Sequence, residues 1–368
     1  MFARNFCRIL LVSALANLSA PVAAAGSQAP GTAEALAACY KKQAEVTPFN
    51  GVVLAGRDAQ TFYRSAGYLD AGRQVPFSRD TRFRLASVQK VLTKIAVGQL
   101  VDKGRIKLDD PVGKHVPGLP PQMAAVTIDQ LLRHRSGVAS FTRMTPETGN
   151  AIVKAQSARD LLPMIVAQPL SFRPGERQEY SNGGYFLLGV LIEVVSGKEY
   201  GRYLADAIFR PLSLTATSLV GDARTAVGMT RMGPDQQPLQ AARATADPMT
   251  DRGSAAGNGV SSADDLVRLG RALVGDGLLS RATKERLFPR RQGAWRVGQS
   301  GGSIGVNTDF AAFPENGWVL AVLSNYDPPG AELMCEALRG VVSGLGCTPL
   351  SEKDRPSPIR LMRPPTRP

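Results

Sequence analysis

Histidine is scarce in this chain of 368 residues: there are two, His115 and His134, and none follows position 134. A serine nucleophile here therefore needs a base other than a downstream imidazole. Aromatic residues are 6% of the chain, and the lysines and arginines are scattered without aromatic interleaving, so a nucleic-acid surface is not expected. Beyond the first 25 residues no apolar stretch is long enough to cross a membrane, which leaves no integral segment in the mature chain. No internal repeat is evident, and no clear linker divides residues 34–347. No Ser-Asp-Asn triplet occurs anywhere. Cysteine is sparse too: Cys7, Cys39, Cys335 and Cys347.

What is present suits one large globular unit. Hydrophobic residues are 43% and charged residues 20%, an ordinary balance for a chain with a sizeable core. Arg4 and Arg8, the apolar run Ile9–Ala16 and the small residues Ala23-Ala24-Ala25 read as a secretory signal peptide over 1–25. The mature protein is then periplasmic or secreted if its source is bacterial. In that compartment disulfides persist, and three cysteines allow at most one pair. Cys39 and Cys335 lie in segments that read as helices at opposite ends of the chain. They pair if those helices are adjacent; otherwise the cysteines are free and buried. The net charge of +13 drops by two when Arg4 and Arg8 leave, and it permits weak association with an anionic cell envelope. Residues 348–368 hold six prolines and four arginines and read as a disordered tail.

The coarse pattern begins with a helix at Ala33–Glu45 and two strands in FNGVVLAGRD and TFYRSAGYLD. Helical patterns then dominate from Ser87 to about Leu214, including Ser87–Lys103, Thr127–Arg135, Ala158–Ala167 and Gly183–Ser196. Residues 226–257 read as a polar loop, followed by a helix at Ser262–Val274. Strands at Ala294–Gln299, Asn307–Phe313 and Trp318–Asn325 precede a last helix at Gly330–Leu345. Strands at both ends with helices between predict an α+β fold. An antiparallel sheet, flanked by helices, would be built from 34–85 and 220–347. Residues 86–219 would form an inserted all-helical lobe, with a site in the cleft between.

Two serine motifs compete. Gly298-Gln299-Ser300-Gly301-Gly302 fits G-x-S-x-G, but that elbow needs a helix after the serine and a histidine further on. Here another strand pattern follows and no histidine does, so the match is read as accidental. His115, in a loop pattern, reads as a surface or structural residue. Ser87-Val88-Gln89-Lys90 is the alternative. Positions i and i+3 share a helix face, so the hydroxyl and the amine can meet. A helix start also favours developing negative charge, and a lysine in a dry site loses basicity and can accept a proton. Tyr180-Ser181-Asn182 adds a phenol that can shuttle protons beside a lysine and an amide that can donate to a carbonyl.

FRLASVQKVLTK, TIDQLLRHRSGV, FRPGERQEYSNGGYFLLGVLIEVVSG, PLSLTATSL, GNGVSSADDLVRLGRAL and GQSGGSIG occur in one order. Together they resemble the serine beta-lactamase-related superfamily, in the branch of class C beta-lactamases, D-Ala-D-Ala carboxypeptidases and esterases. The resemblance covers roughly residues 34–345. It implies Ser87 as the acylated nucleophile, Lys90 as its activator, Tyr180 as the proton shuttle and Asn182 as a substrate contact. It implies an oxyanion hole from the N–H groups of Ser87 and Gly302, and a substrate-binding strand at Gln299, Ser300, Gly301 and Gly302. It assigns His134 to a structural stretch and implies neither cofactor nor metal.

Two departures from the family pattern stand out. Gln299 occupies a position where relatives carry lysine or histidine, which removes a charge from the substrate strand. A charge-assisted contact to a substrate carboxylate is worth ~1.5–3 kcal/mol, or roughly 10- to 100-fold in affinity. Arg296 cannot replace it, because an offset of three on a strand points to the other face. Lys94 replaces a small residue one turn after Lys90, and is expected to reach solvent rather than press on Lys90. The expected protein is an exported serine hydrolase acting on esters or peptide-like amides. The alternatives are a class C-type beta-lactamase or D-alanyl-D-alanine carboxypeptidase, and a penicillin-binding or cell-wall-sensing protein without turnover.

Overall fold

The strands Gly51–Arg57 and Gln60–Ala66 form a hairpin, with Asp58 in the left-handed region at its turn. The far end of the chain supplies Val297–Ser303, Val306–Ala312 and Val319–Ser324. The first strand pairs with the last, Val52 opposite Leu323 and Gly56 opposite Val319, so both chain ends make one five-stranded antiparallel sheet. Gln60–Ala66 is one edge and Val297–Ser303 the other. The computed structural model describes residues 32–354 apart from 71, 73, 142–145, 234–237, 246–251 and 291–294. The expected leader lies outside the described residues, as does the expected tail beyond 354.

Both faces of the sheet are covered at its inner strands, which explains the near-continuous apolar runs in Gly51–Arg57 and Val319–Ser324. Val53, Ala55, Ala311, Leu320 and Val322 pack on the helices Ala33–Val46 and Gly330–Val342 through Leu36, Met334 and Leu338. Residues of the opposite parity, Val52, Leu54, Phe310, Val319 and Ala321, join the larger core with Leu266 and Val267 of the helix Ala263–Val274. From Ala86 to Phe209 the chain is a series of helical segments. Asn182–Ser196 is apolar nearly all round, with every residue from Gly183 to Glu193 buried, as a helix at the centre of a bundle must be. It packs against Gln89–Asp102, which is buried over most of its first three turns.

Three expectations are corrected. Residues 226–257 are not all loop: Met229–Met232 pairs with Pro238–Ala244. The expected helix over Ala158–Ala167 is a 3-10 turn, Arg159–Leu161, followed by the short helix Leu162–Val166. The disulfide joins Cys39 to Cys347, and Cys335 is a free buried thiol. The terminal helices do pack together. Cys335 nevertheless points into the sheet beside Asp309, whereas Cys347, past the helix end, returns over Cys39. Among the described residues no helix is long and apolar enough to cross a membrane.

Candidate active site

Ser87 sits in a 3-10 turn, Ala86–Val88, that opens into the helix Gln89–Asp102. Its backbone is clamped from two sides. Leu85 donates to the Gly259 carbonyl at 2.8 Å, and Asn258 donates to Ala86 O at 3.2 Å. Ala86 is held at φ +41°, a strained conformation for a residue with a Cβ. On the other side lies the edge strand Val297–Ser303. A Cβ on Gly301 would fall 2.6 Å from Leu85 O and 2.8 Å from the Ser87 nitrogen, so only glycine admits this approach. In the first turn of a helix the N–H of Ser87 has no intrahelical acceptor.

Lys90 is fully buried. Its Nζ donates to Ser87 Oγ at 3.2 Å, to Asn182 Oδ1 at 2.9 Å and, in a short contact, to Ala256 O. It lies 4.8 Å from the centre of the Tyr180 ring and 5.3 Å from that of Tyr185. Burial drives its pKa below the ordinary lysine value, opposed in part by Tyr180. The Tyr180 hydroxyl is 2.5 Å from Ser87 Oγ. Ser181 caps the central helix by accepting from the Gly184 N–H and donates to Val138 O, which fixes Tyr180 and Asn182 on either side of it. Asn182 commits its oxygen to Lys90, leaving its NH2 as the donor it can offer a substrate.

The structure thus brings Ser87, Lys90, Tyr180 and Asn182 into one contact network, with Gly301 against it. Gln299 Nε2 donates to Ser300 O on its own strand. Ser300, expected on the substrate side, is turned away. Its hydroxyl donates to Asp309 Oδ2 at 2.5 Å, on the face covered by Gly330–Val342, because side chains alternate along a strand. Arg296 is on that far face too, paired with Asp309 at 2.6 Å. Gly302 stands opposite Asn307 in the sheet. Lys94 does not simply reach solvent: its ammonium lies 5.0 Å from the Phe288 ring centre.

Sequence reasoning missed the Ala256 carbonyl and underused His134. A backbone acceptor leaves no residue-type signal; its only trace is the small-residue run Gly253–Gly259. His134 lies under Tyr180, ring centres 4.6 Å apart, and accepts from the Ser181 N–H at 3.2 Å through Nδ1. Among the described residues no cluster of three or more His, Cys, Asp or Glu is arranged to hold a metal.

Comparison with known proteins bears on the family and the fold. The Beta-lactamase family model matches residues 36–340. Penicillin-binding protein 4* of Bacillus subtilis is 30% identical over 266 residues, 68% of this chain and 57% of that protein. The chain spans about a third to just over half of the length of the curated relatives it matches. The penicillin-binding protein from Bacillus halodurans is similar in fold, with TM-score 0.71, 24% identity, and coverage of 82% of this chain and 99% of that one. So is the D-amino acid amidase from Ochrobactrum anthropi SV3, with TM-score 0.70, 22% identity, and coverage of 84% and 99%. An antiparallel sheet with helices on both faces, a Ser-x-x-Lys turn against its edge and a family match across most of the sequence lead to one conclusion: the chain belongs to the beta-lactamase family of serine hydrolases and penicillin-binding proteins.

Proposed function

We propose that this protein is an exported serine hydrolase that works through an acyl-enzyme on Ser87, with esters or peptide-like amides as substrates. The observation that carries the reading is Ser87 Oγ held between the Tyr180 hydroxyl at 2.5 Å and the Lys90 amine at 3.2 Å. A lysine whose pKa is lowered by burial can hold the Ser87 proton as attack proceeds. Tyr180 relays that proton to the leaving group. Ser87 Oγ bonds to the substrate carbonyl carbon, the leaving group departs with the proton, and water later reverses the relay to free the acid. The N–H groups of Ser87 and Gly302 would receive the developing oxyanion, and the Asn182 NH2 the substrate's own amide carbonyl.

Gln299 supports the choice of substrates without a carboxylate, and the fold it shares with a D-amino acid amidase is compatible with amides. The Cys39–Cys347 bond, with the leader pattern at 1–25, supports export. The relatives named penicillin-binding proteins favour a second reading, acylation by penicillins with slow or no release. Intact-protein mass decides between them. The protein is mixed with a penicillin and, separately, with an activated ester, each beside Ser87→Ala. A transient adduct from the ester with steady substrate loss is the expected result. A stable penicillin adduct selects the second reading. Adducts or turnover that persist in Ser87→Ala remove Ser87 as the nucleophile.

A further inference from the structure

Tyr180 has no secondary structure of its own: it precedes Ser181, the cap of the central helix, whose backbone is extended. Its hydroxyl is nonetheless held at 2.5 Å from Ser87. Besides the Ser181 hydroxyl contacts, three contacts around Tyr180 converge on one residue. The Glu179 N–H, before Tyr180, donates to the His134 carbonyl at 2.9 Å. The Ser181 N–H, after Tyr180, donates to His134 Nδ1 at 3.2 Å. The His134 ring stacks on the Tyr180 ring at 4.6 Å with 34° between planes, and on Tyr185 at 5.1 Å. Tyr185 is itself pinned by donation to Leu132 O at 3.1 Å. His134 adopts φ +58°, the left-handed region that a residue with a Cβ enters at a cost. From that backbone turn its carbonyl meets Glu179 while its ring meets Tyr180 and Ser181.

We propose that His134 is the positioning residue for Tyr180, grasping the residues before and after it and the ring between them. The claim rests on the acyl-enzyme reading above. An acceptor Nδ1 means that the ring proton is on Nε2 and that the imidazole is neutral while it works. Its surroundings agree: burial above all, then Lys90 and Lys94, oppose a positive imidazole and hold its pKa at about 3, with Tyr180 and Tyr185 flanking the ring. His134 therefore holds Tyr180 without competing for the Ser87 proton.

Two substitutions separate the contacts. His134→Asn can put Oδ1 near the position of Nδ1 and tolerates positive φ, so it keeps the acceptor and loses the stack. His134→Phe keeps a ring and leaves the Ser181 N–H without its acceptor. Acylation by the activated ester, followed by intact mass, is expected to slow about 10- to 100-fold in His134→Phe and less in His134→Asn, as for loss of one buried hydrogen bond. The rate constant falls while the half-saturating ester concentration stays near its original value.

The deciding readout is a double-mutant cycle with Tyr180→Phe. If His134 acts through Tyr180, His134→Phe causes no further loss once the phenol is gone. Independent, multiplicative losses overturn the proposal, as does wild-type acylation in both His134 variants. So does an activity limb near pH 6.5 that disappears in His134→Asn, since that would make the imidazole itself a titrating participant. If the unsubstituted protein is not acylated at all, the acyl-enzyme reading fails instead. Thermal unfolding of the unsubstituted protein, His134→Asn, Tyr180→Ala and the two combined then still reads the ring contact of the clamp, with non-additive losses supporting it and additive ones overturning it.

Discussion

Lys90 and Gln299 show how much one side chain decides. Lys90 was legible because three positions separate it from Ser87 on a helix, a spacing that fixes proximity whatever surrounds it. Gln299 was legible as a missing charge. Replacing it with lysine restores a cation at the edge strand, and acylation by a carboxylate-bearing penicillin is expected to rise roughly 10- to 100-fold, with little change for a neutral ester. Stopped-flow acylation with both reagents checks this; equal gains for both would show that charge is not what limits penicillins. Ser300 was misread because a motif names residues without saying which side of the strand each occupies, and Asp309 claims its hydroxyl. His134 carries a pH signature as well. Its pKa of about 3 in the folded protein lies below the ordinary 6.5, so under pH 6.5 the unfolded chain takes up a proton that the folded one refuses. Stability present above pH 6.5 is lost as pH falls toward 3, on the order of 3 kcal/mol by pH 4.5. Urea midpoints at pH 7.5 and 4.5 should therefore lie closer together in His134→Asn than in the unsubstituted protein.

Elements with one strong periodicity were readable: the central helix, the five sheet strands and the two terminal helices all stand within a few residues of where their patterns place them. The hairpin Met229–Met232 with Pro238–Ala244 was not, because its polar run lacks the apolar alternation that marks a half-buried strand. Cys347 was not assigned because it follows the last helix in irregular backbone, where no period predicts direction. The bond it forms closes a span of 308 residues. Cys347→Ser is expected to lower stability by ~2–5 kcal/mol, read as a lower thermal midpoint that reducing agent does not lower further. At the edge strand, Gly301→Ala must push the strand off Leu85 and Ser87. Its acylation rate should fall about 100-fold, as for loss of one oxyanion donor, while far-ultraviolet circular dichroism stays unchanged. Retention of full activity would mean that the strand's closeness to Ser87 is incidental.

At the scale of the molecule, the α+β layout followed from strands at both ends of the chain and helices between, but the pairing of first strand with last required the structure. Neither end can complete the sheet alone. A chain stopped at residue 295 keeps Ser87, Lys90, Tyr180 and Asn182, yet loses three of the five strands. It is expected to show no cooperative thermal transition and no adduct with the activated ester. A cooperative melt from that fragment would show that the helical part folds without the sheet.

The distance in sequence between Ser87 and Gly301 also sets an order in time. A ribosome makes the hydroxyl early and the strand that flanks it more than two hundred residues later. Throughout synthesis the serine is an ordinary alcohol. On the proposed acyl-enzyme reading, it gains its full surroundings only after residue 301 has been made and folded, so reactivity comes late.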